Sequence, residues 1–329
     1  MSYRRSNNRL STTMWVVLTL LKYVFFAVTV SLVAVTVFFM LTSCHKDLLH
    51  EDLGGVREVC VSYTVPEGRD FSASIARMRW LVYDAQGNHS CELQMEPDRV
   101  QYFDSSELPD GQYTAVNVAN ATDRILIASS QHLDDLMLWA NTRQPGGWYG
   151  NIDCLFWQMR RFTVAKGHLE RVAMPLADIH CHLHVHAWWK GLPEQDGQWT
   201  MRLYGVNVAC HGGRNGLIIG GLEHPELADT LGEHRISVTP LNFELDGEFV
   251  VFRWTDANMP KLQIWCDDVP VSPLIDVDQV FAEWQWSPDN TTSQDYWLGI
   301  QLNPDGSADV QTWGSARVAD WIDGGTIGY

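Results

Sequence analysis

The stretch Val59-Cys60-Val61-Ser62-Tyr63-Thr64-Val65 decides the fold class, because every second side chain in it is a large apolar one. A period of two residues places these side chains on one face of an extended chain, as in a half-buried β-strand. Similar segments recur along the sequence, separated by short turns rich in Gly, Pro and Asn. We therefore predict further strands at residues 79–84, 91–95, 113–119, 154–164, 169–172, 179–188, 199–208, 243–254, 261–266, 296–302 and 308–313.

Three segments depart from this pattern. Ser130–Ala140 has a possible N-cap, two acidic residues near the start and apolar residues that share one helical face, which predicts a short helix. His211–Gly216 lacks the spacing of a phosphate-binding loop, and we interpret it as a hairpin turn. Residues 275–284 are acidic and rich in Val, which suggests one helical turn or a bend.

Composition limits the functional classes. The chain has 329 residues, 46% of them hydrophobic, and 15 Trp, which favours a globular protein. Its net charge of −17 and the lack of a basic stripe argue against nucleic-acid binding. No GxSxG, HExxH or activated Cys motif is present, so we predict neither an enzyme nor a cofactor. Many short strands predict an all-β fold of sandwiches, with domains at residues 57–174 and 175–329.

The amino-terminal segment predicts a lipoprotein. Three Arg residues are followed by a run from Met14 to Leu41 in which Lys22 is the only charge. The run ends in Leu41-Thr42-Ser43-Cys44, which resembles a bacterial lipobox. We predict a signal peptide at residues 1–43, acyl chains on Cys44 that bind the membrane, and a flexible tether at residues 44–56. His45 after the cysteine and the charged residues of the tether favour an outer-membrane protein exposed at the cell surface.

Four histidines on one predicted strand form the most unusual local motif: His180, His182, His184 and His186. Alternation places their imidazoles on one face, where neighbouring rings could chelate zinc or copper. No further ligands stand at a diagnostic spacing, so we favour an ordinary polar strand face and expect no functional metal.

Two other residue types leave alternatives open. Six cysteines remain besides Cys44, and they could form disulfides or stay as buried free thiols. The tryptophans could form exposed platforms for sugar rings or fill the core between sheets. A surface glycan-binding lipoprotein is therefore the main functional alternative, and a metal-binding surface protein is a third.

Several segments together resemble the FimB-like fimbrial anchor family, Bacteroidales lipoproteins at the base of type V pili. Besides the lipobox, they are residues 82–87, 108–120, 148–150, 295–300 and the final hairpin through residues 305–313. The similarity extends over nearly all of the chain after Cys44, and its specificity comes from the order of the motifs. The resemblance implies two transthyretin-like Greek-key β-sandwich domains, no enzymatic activity, and a role in anchoring a fimbrium and limiting its length.

The resemblance also implies a partner, a fimbrial stalk subunit bound by β-strand complementation. Stalk subunits of type V pili are expected to expose an acceptor groove when their first strand is removed. A lipid on Cys44 would keep the first strand of this chain in place, so we expect it to donate a strand. The apolar residues of the tail are candidates for this strand, although they could instead close the second domain: Val318, Trp321, Ile322, Ile327 and Tyr329.

Overall fold

The computed structural model describes residues 58–95, 102–189, 197–283, 286–292 and 295–312. These residues belong to one compact unit. Nearly all of its regular structure is strand, so the predicted all-β class is confirmed. In the described residues no helix is long and apolar enough to cross a membrane.

The strands up to residue 178 are β1 (Glu58–Thr64), β2 (Met78–Tyr83), β3 (His89–Met95), β4 (Tyr102–Asp104), β5 (Gly111–Ala119), β6 (Ile125–Ala128), β7 (Met137–Ala140), β8 (Phe156–Val164), β9 (Leu169–Pro175) and β10 (Ala177–Asp178). The later strands are β11 (His180–Trp189), β12 (Trp199–Asn207), β13 (Ala209–Ile219), β14 (Leu222–Leu227), β15 (Leu231–Val238), β16 (Glu244–Phe252), β17 (Lys261–Cys266), β18 (Val269–Pro270), β19 (Ile275–Asp276), β20 (Asp295–Leu302) and β21 (Ala308–Thr312). The described residues also form two short α-helices, α1 (Phe71–Ser74) and α2 (Val277–Ala282), and three 3-10 turns, at Pro66–Gly68, Leu133–Asp135 and Pro288–Asn290.

These strands form five sheets within the described residues. Their orders are β4-β1-β9, β10-β8-β5-β2-β3, β16-β11-β20-β21, β15-β12-β17-β18 and β14-β13-β7-β6, and β19 also pairs with β17. Each strand predicted from the alternating pattern overlaps a strand of the structure. The short helix α2 lies inside the predicted segment 275–284, which confirms the helical turn there.

The sheets enclose three apolar cores. One core fills the space between β4-β1-β9 and one face of the sheet that contains β5, and Trp80 is fully buried in it. A second core packs against the opposite face of the same sheet. Because β5 is covered on both faces, seven of its consecutive residues are buried. The third core lies between the β11 and β12 sheets and includes Trp254. This layered arrangement is that of β-sandwiches.

Two pairings connect strands from both sides of the predicted domain limit at residues 174 and 175. β7 pairs with β13, and β10 pairs with β8. The second core contains residues from both sides as well, among them Trp157 and Val208. The domain limits themselves stay a prediction.

The predicted helix at Ser130–Ala140 is wrong. Only residues 133–135 form a single 3-10 turn, and Met137–Ala140 form β7, which pairs with β6 and β13. Leu136 and Leu138 are both fully buried, a spacing of two residues that suits a strand. Pairing with two neighbouring strands therefore overrides the local helical pattern.

The predicted turn at His211–Gly216 is also wrong, because these residues lie inside β13. The chain reverses at Gly220 and Gly221, which both have positive φ angles. Gly213 instead allows a close backbone approach, since a Cβ atom there would lie 1.8 Å from the carbonyl oxygen of Leu133.

Candidate functional site

The histidine row lies on β11, and its imidazoles all occupy the same face of the strand, as predicted. Cys181, Leu183 and Val185 point the other way and are at most 2% exposed in the third core. Alternation along β11 thus drives one face into the core and leaves the histidines on the outer face. His180 is buried there, while His182, His184 and His186 are half-buried.

The neighbouring strands supply acidic and aromatic partners to this row. β11 pairs antiparallel with β16, which places Glu248 opposite His184 and Asp246 opposite His186. On its other side β11 runs parallel to β20, which places Trp297 beside His184. The row is therefore the centre of a three-strand surface.

Hydrogen bonds fix three of the four rings. His180 Nδ1 lies 2.8 Å from the carbonyl oxygen of Leu155. His182 Nδ1 lies 2.7 Å from Glu248 Oε1, and His186 Nδ1 lies 2.8 Å from Asp246 Oδ1. Because a backbone carbonyl only accepts, Nδ1 of His180 carries the proton.

The fourth ring is held by stacking. The rings of His184 and Trp297 lie 4.0 Å apart and within 12° of parallel. His186 stacks less closely on Trp188, at 5.5 Å. Imidazole and indole rings thus cover part of each other's surface along this face.

The environments of the histidines differ in their effect on protonation. Burial lowers the pKa of His180 to about 3, with a further contribution from neighbouring His182. Burial also disfavours the charged form of His182, but its hydrogen bonds with Cys154 and Glu248 outweigh this effect and raise its pKa to about 9. Burial lowers the pKa of His184. At pH 7 a charged His182 therefore lies between a neutral His180 and a neutral His184.

Cys154 joins the row from the loop that precedes β8. Its Sγ lies 3.4 Å from His182 Nε2. Asn120 holds this loop by donating from Nδ2 to the Cys154 carbonyl oxygen at 3.1 Å. Sequence analysis missed this cysteine because it lies 28 residues before His182, at no diagnostic spacing.

Two groups of possible metal ligands result. Cys154, His180 and His182 offer donor atoms within 4.8 Å of one another, and so do His182, His184 and Asp295. His186 belongs to neither group. The partners Glu248 and Asp295 come from strands far along the chain, so strand pairing, and not local sequence, assembles the site.

The other predicted site residues fall outside the described residues. They are Cys44 and the tail residues Val318, Trp321, Ile322, Ile327 and Tyr329. The described chain ends at Thr312 in β21, which is an edge strand of the β11 sheet.

The cysteines and tryptophans can be assigned where the structure describes them. All six cysteines from Cys60 to Cys266 are free thiols. No tryptophan of the described segments is exposed, and Trp80, Trp157 and Trp254 are fully buried. Most of the indole surface therefore stabilises the cores.

Comparison with known families identifies a relationship over residues 57–223. This segment matches the sequence profile of the Fimbrillin-A associated anchor proteins Mfa1 and Mfa2. No curated protein sequence matches the chain.

Solved structures share the fold at low sequence identity. The fimbrial anchor protein Mfa2 from Porphyromonas gingivalis is 13% identical, with a TM-score of 0.56 over 78% of this chain and 96% of that chain. A candidate polysaccharide-binding protein from Bacteroides thetaiotaomicron is 15% identical, with a TM-score of 0.58 over 79% and 97%. A candidate adhesin from Bacteroides ovatus is 11% identical, with a TM-score of 0.57 over 82% and 96%.

The family profile spans just over half of the 329 residues, and the three structures have the same sandwich architecture. The chain belongs to the family of fimbrillin-A associated anchor proteins.

Proposed function

We propose that this protein is an outer-membrane lipoprotein that anchors a fimbrium at the cell surface and limits its length. The observation that carries the proposal is the match of residues 57–223 to the anchor family. The family is of a structural, non-enzymatic type. The lipobox at Cys44 supplies the membrane attachment in this proposal.

The position of the first strand supports a role as donor. β1 lies between β4 and β9, and its pairing with β9 runs from Glu58 opposite Leu169 to Thr64 opposite Pro175. Val59 and Val61 are 1% and 3% exposed in the core beneath. Removing β1 would leave backbone groups of two strands unpaired and a buried apolar face open.

The tail is the segment that we propose as the donated strand. It follows β21, whose outer edge has no neighbouring strand within the described residues. Its apolar side chains can fill pockets of a stalk subunit while its backbone pairs with the groove. The alternative remains that the tail closes the sheet of its own chain.

Mutations in the tail test this proposal. Changing Trp321 and Ile322 to Ser removes two apolar anchors, and we expect retention of fimbriae on the cell to fall severalfold. Changing Asp320 and Asp323 to Asn alters the same segment but keeps its apolar residues, so it serves as the matched control. Normal retention with the Trp321→Ser, Ile322→Ser variant, at an unchanged level of folded protein, would exclude the tail as the donor.

Membrane attachment needs a separate test. Cys44→Ala removes the thiol that would accept acyl chains, so we expect loss of palmitate labelling and release of the protein from the membrane. Labelling that persists in this variant would contradict the lipobox assignment.

A glycan-binding lipoprotein is the second candidate. Trp188 and Trp297 support it because both lie half-buried on the outer face of the β11 sheet. We rank it lower because His184 already covers one ring face of Trp297. Binding of the protein to a polysaccharide array, lost on Trp188→Ala and Trp297→Ala but unaffected by the tail mutations, would favour this function.

A further inference from the structure

We propose that Cys154, His180 and His182 bind a zinc ion on the outer face of the β11 sheet. This inference reverses the expectation drawn from the sequence, in which the histidines had no further ligand. It does not depend on the fimbrial role.

The donor atoms suit zinc in type and in spacing. Thiolate and imidazole are the ligands that zinc prefers, whereas calcium and magnesium prefer oxygen. Zinc bonds of about 2.3 Å to sulfur and about 2.0 Å to nitrogen place tetrahedral ligands about 3.5 Å apart. Cys154 Sγ and His182 Nε2 are 3.4 Å apart, and the donor atoms of all three residues lie within 4.8 Å of one another.

Hydrogen bonds behind the ligands orient both imidazoles. A histidine that binds zinc through Nε2 usually donates its Nδ1 proton to a carboxylate or a backbone carbonyl. Glu248 is that acceptor for His182, at 2.7 Å, and the carbonyl oxygen of Leu155 is the acceptor for His180, at 2.8 Å. The Nδ1 atoms are thus occupied and Nε2 is left for the metal in both rings, and Nε2 of charged His182 becomes a ligand once the ion displaces its proton.

The fourth coordination position also has nearby donors. His184 and Asp295 each offer a donor atom within 4.8 Å of a ring nitrogen of His182. Either of them, or a water molecule, can complete a tetrahedral site around three protein ligands.

Zinc would connect two separate parts of the fold. Cys154 lies in the loop before β8, and both histidines lie on β11. A bound ion would therefore hold this loop against the sheet, and binding would release two protons, one from the Cys154 thiol and one from His182 Nε2. Ligand binding to the folded state alone raises the unfolding temperature.

Metal titrations of the full chain test the site. The protein is purified in detergent, reduced, stripped with a chelator and titrated with Zn²⁺ by calorimetry. We expect one tight site per chain, weakened at least tenfold by Cys154→Ser and by His182→Gln. His186→Gln is the matched control, because His186 has its own carboxylate partner but belongs to neither ligand group.

A spectroscopic measurement makes the test independent of the variants. Co²⁺ bound in place of zinc should give thiolate-to-metal charge-transfer absorption in the wild-type protein, which Zn²⁺ displaces and Mg²⁺ does not. Absence of this band, an affinity for Zn²⁺ unchanged in Cys154→Ser, or an equal loss in His186→Gln would each overturn the proposal.

Discussion

His234 gives a quantitative prediction about the pH dependence of stability. Its side chain is fully buried in β15, its Nδ1 lies 3.0 Å from the Gly150 carbonyl oxygen, and its ring stacks on Tyr149 at 5.6 Å. Burial lowers its pKa from 6.5 to about 4, although the hydrogen bond to Gly150 partly opposes the shift. The folded protein therefore holds this imidazole neutral at pH values where the unfolded chain is protonated.

The sign and size of the effect follow from this difference. The stability associated with neutral His234 is fully present above the unfolded pKa of about 6.5 and is lost as the pH falls toward 4. One pKa unit corresponds to about 1.4 kcal/mol, so the loss is about 2 kcal/mol at pH 5 and about 3 kcal/mol below pH 4.

Urea unfolding of His234→Asn at pH 7.5 and pH 5, followed by tryptophan fluorescence, measures this contribution. Asn can still donate a hydrogen bond to Gly150 but does not titrate, so the wild-type advantage should shrink by about 2 kcal/mol between the two pH values. His168→Asn makes the same substitution at an exposed position and is the matched control. A wild-type advantage that is equal at pH 7.5 and pH 5 would refute the reasoning.

Two further predictions concern packing. Gly213→Ala should destabilise the protein by about 2–3 kcal/mol, because its Cβ would collide with the Leu133 carbonyl oxygen. Gly150→Ala is the control and should cost less, since its Cβ would have no atom closer than 3.8 Å. Equal unfolding midpoints of the two variants would contradict this prediction. In urea unfolding, Trp157→Phe should lower the free energy of unfolding by about 1–3 kcal/mol more than Trp254→Phe does. Trp157 donates a 2.9 Å hydrogen bond to a β13 carbonyl, whereas Trp254 Nε1 has no partner among the described residues. The same loss in both variants would show that this hydrogen bond contributes little.

The sequence predicts the strands well because burial follows the alternation of single segments. In β11 the apolar residues Leu183 and Val185 alternate with histidines, and this pattern alone determines which face enters the core. β5 shows the limit of such inference. It is buried on both faces, so its run of buried residues depends on two packed sheets that no local pattern predicts.

The errors have a related cause. Ser130–Ala140 has apolar residues at helical spacing, but its second half pairs with β6 and β13 in a sheet. The glycines after His211 suggest a turn, but Gly213 allows a close approach of the Leu133 backbone, which is distant in sequence. Contacts with residues distant in sequence therefore determine the secondary structure of both segments.

The candidate metal site could be predicted only in part. The four histidines and their common face follow from the sequence. Cys154, Glu248 and Asp295 could not be found, because a loop and two other strands bring them to the row. Ligands assembled across strands leave no fixed spacing in the sequence.

The most direct test of the central claim compares fimbriae in a strain that lacks this protein with those in the same strain carrying the full chain. The fraction of stalk subunit in the medium and the length of cell-bound fimbriae, measured by electron microscopy, report anchoring and length control. We predict long, shed fimbriae without the protein, restored to short, attached ones by the wild-type chain and not by Cys44→Ala. Fimbriae that stay attached at unchanged length in the strain without the protein would contradict the proposed anchor function.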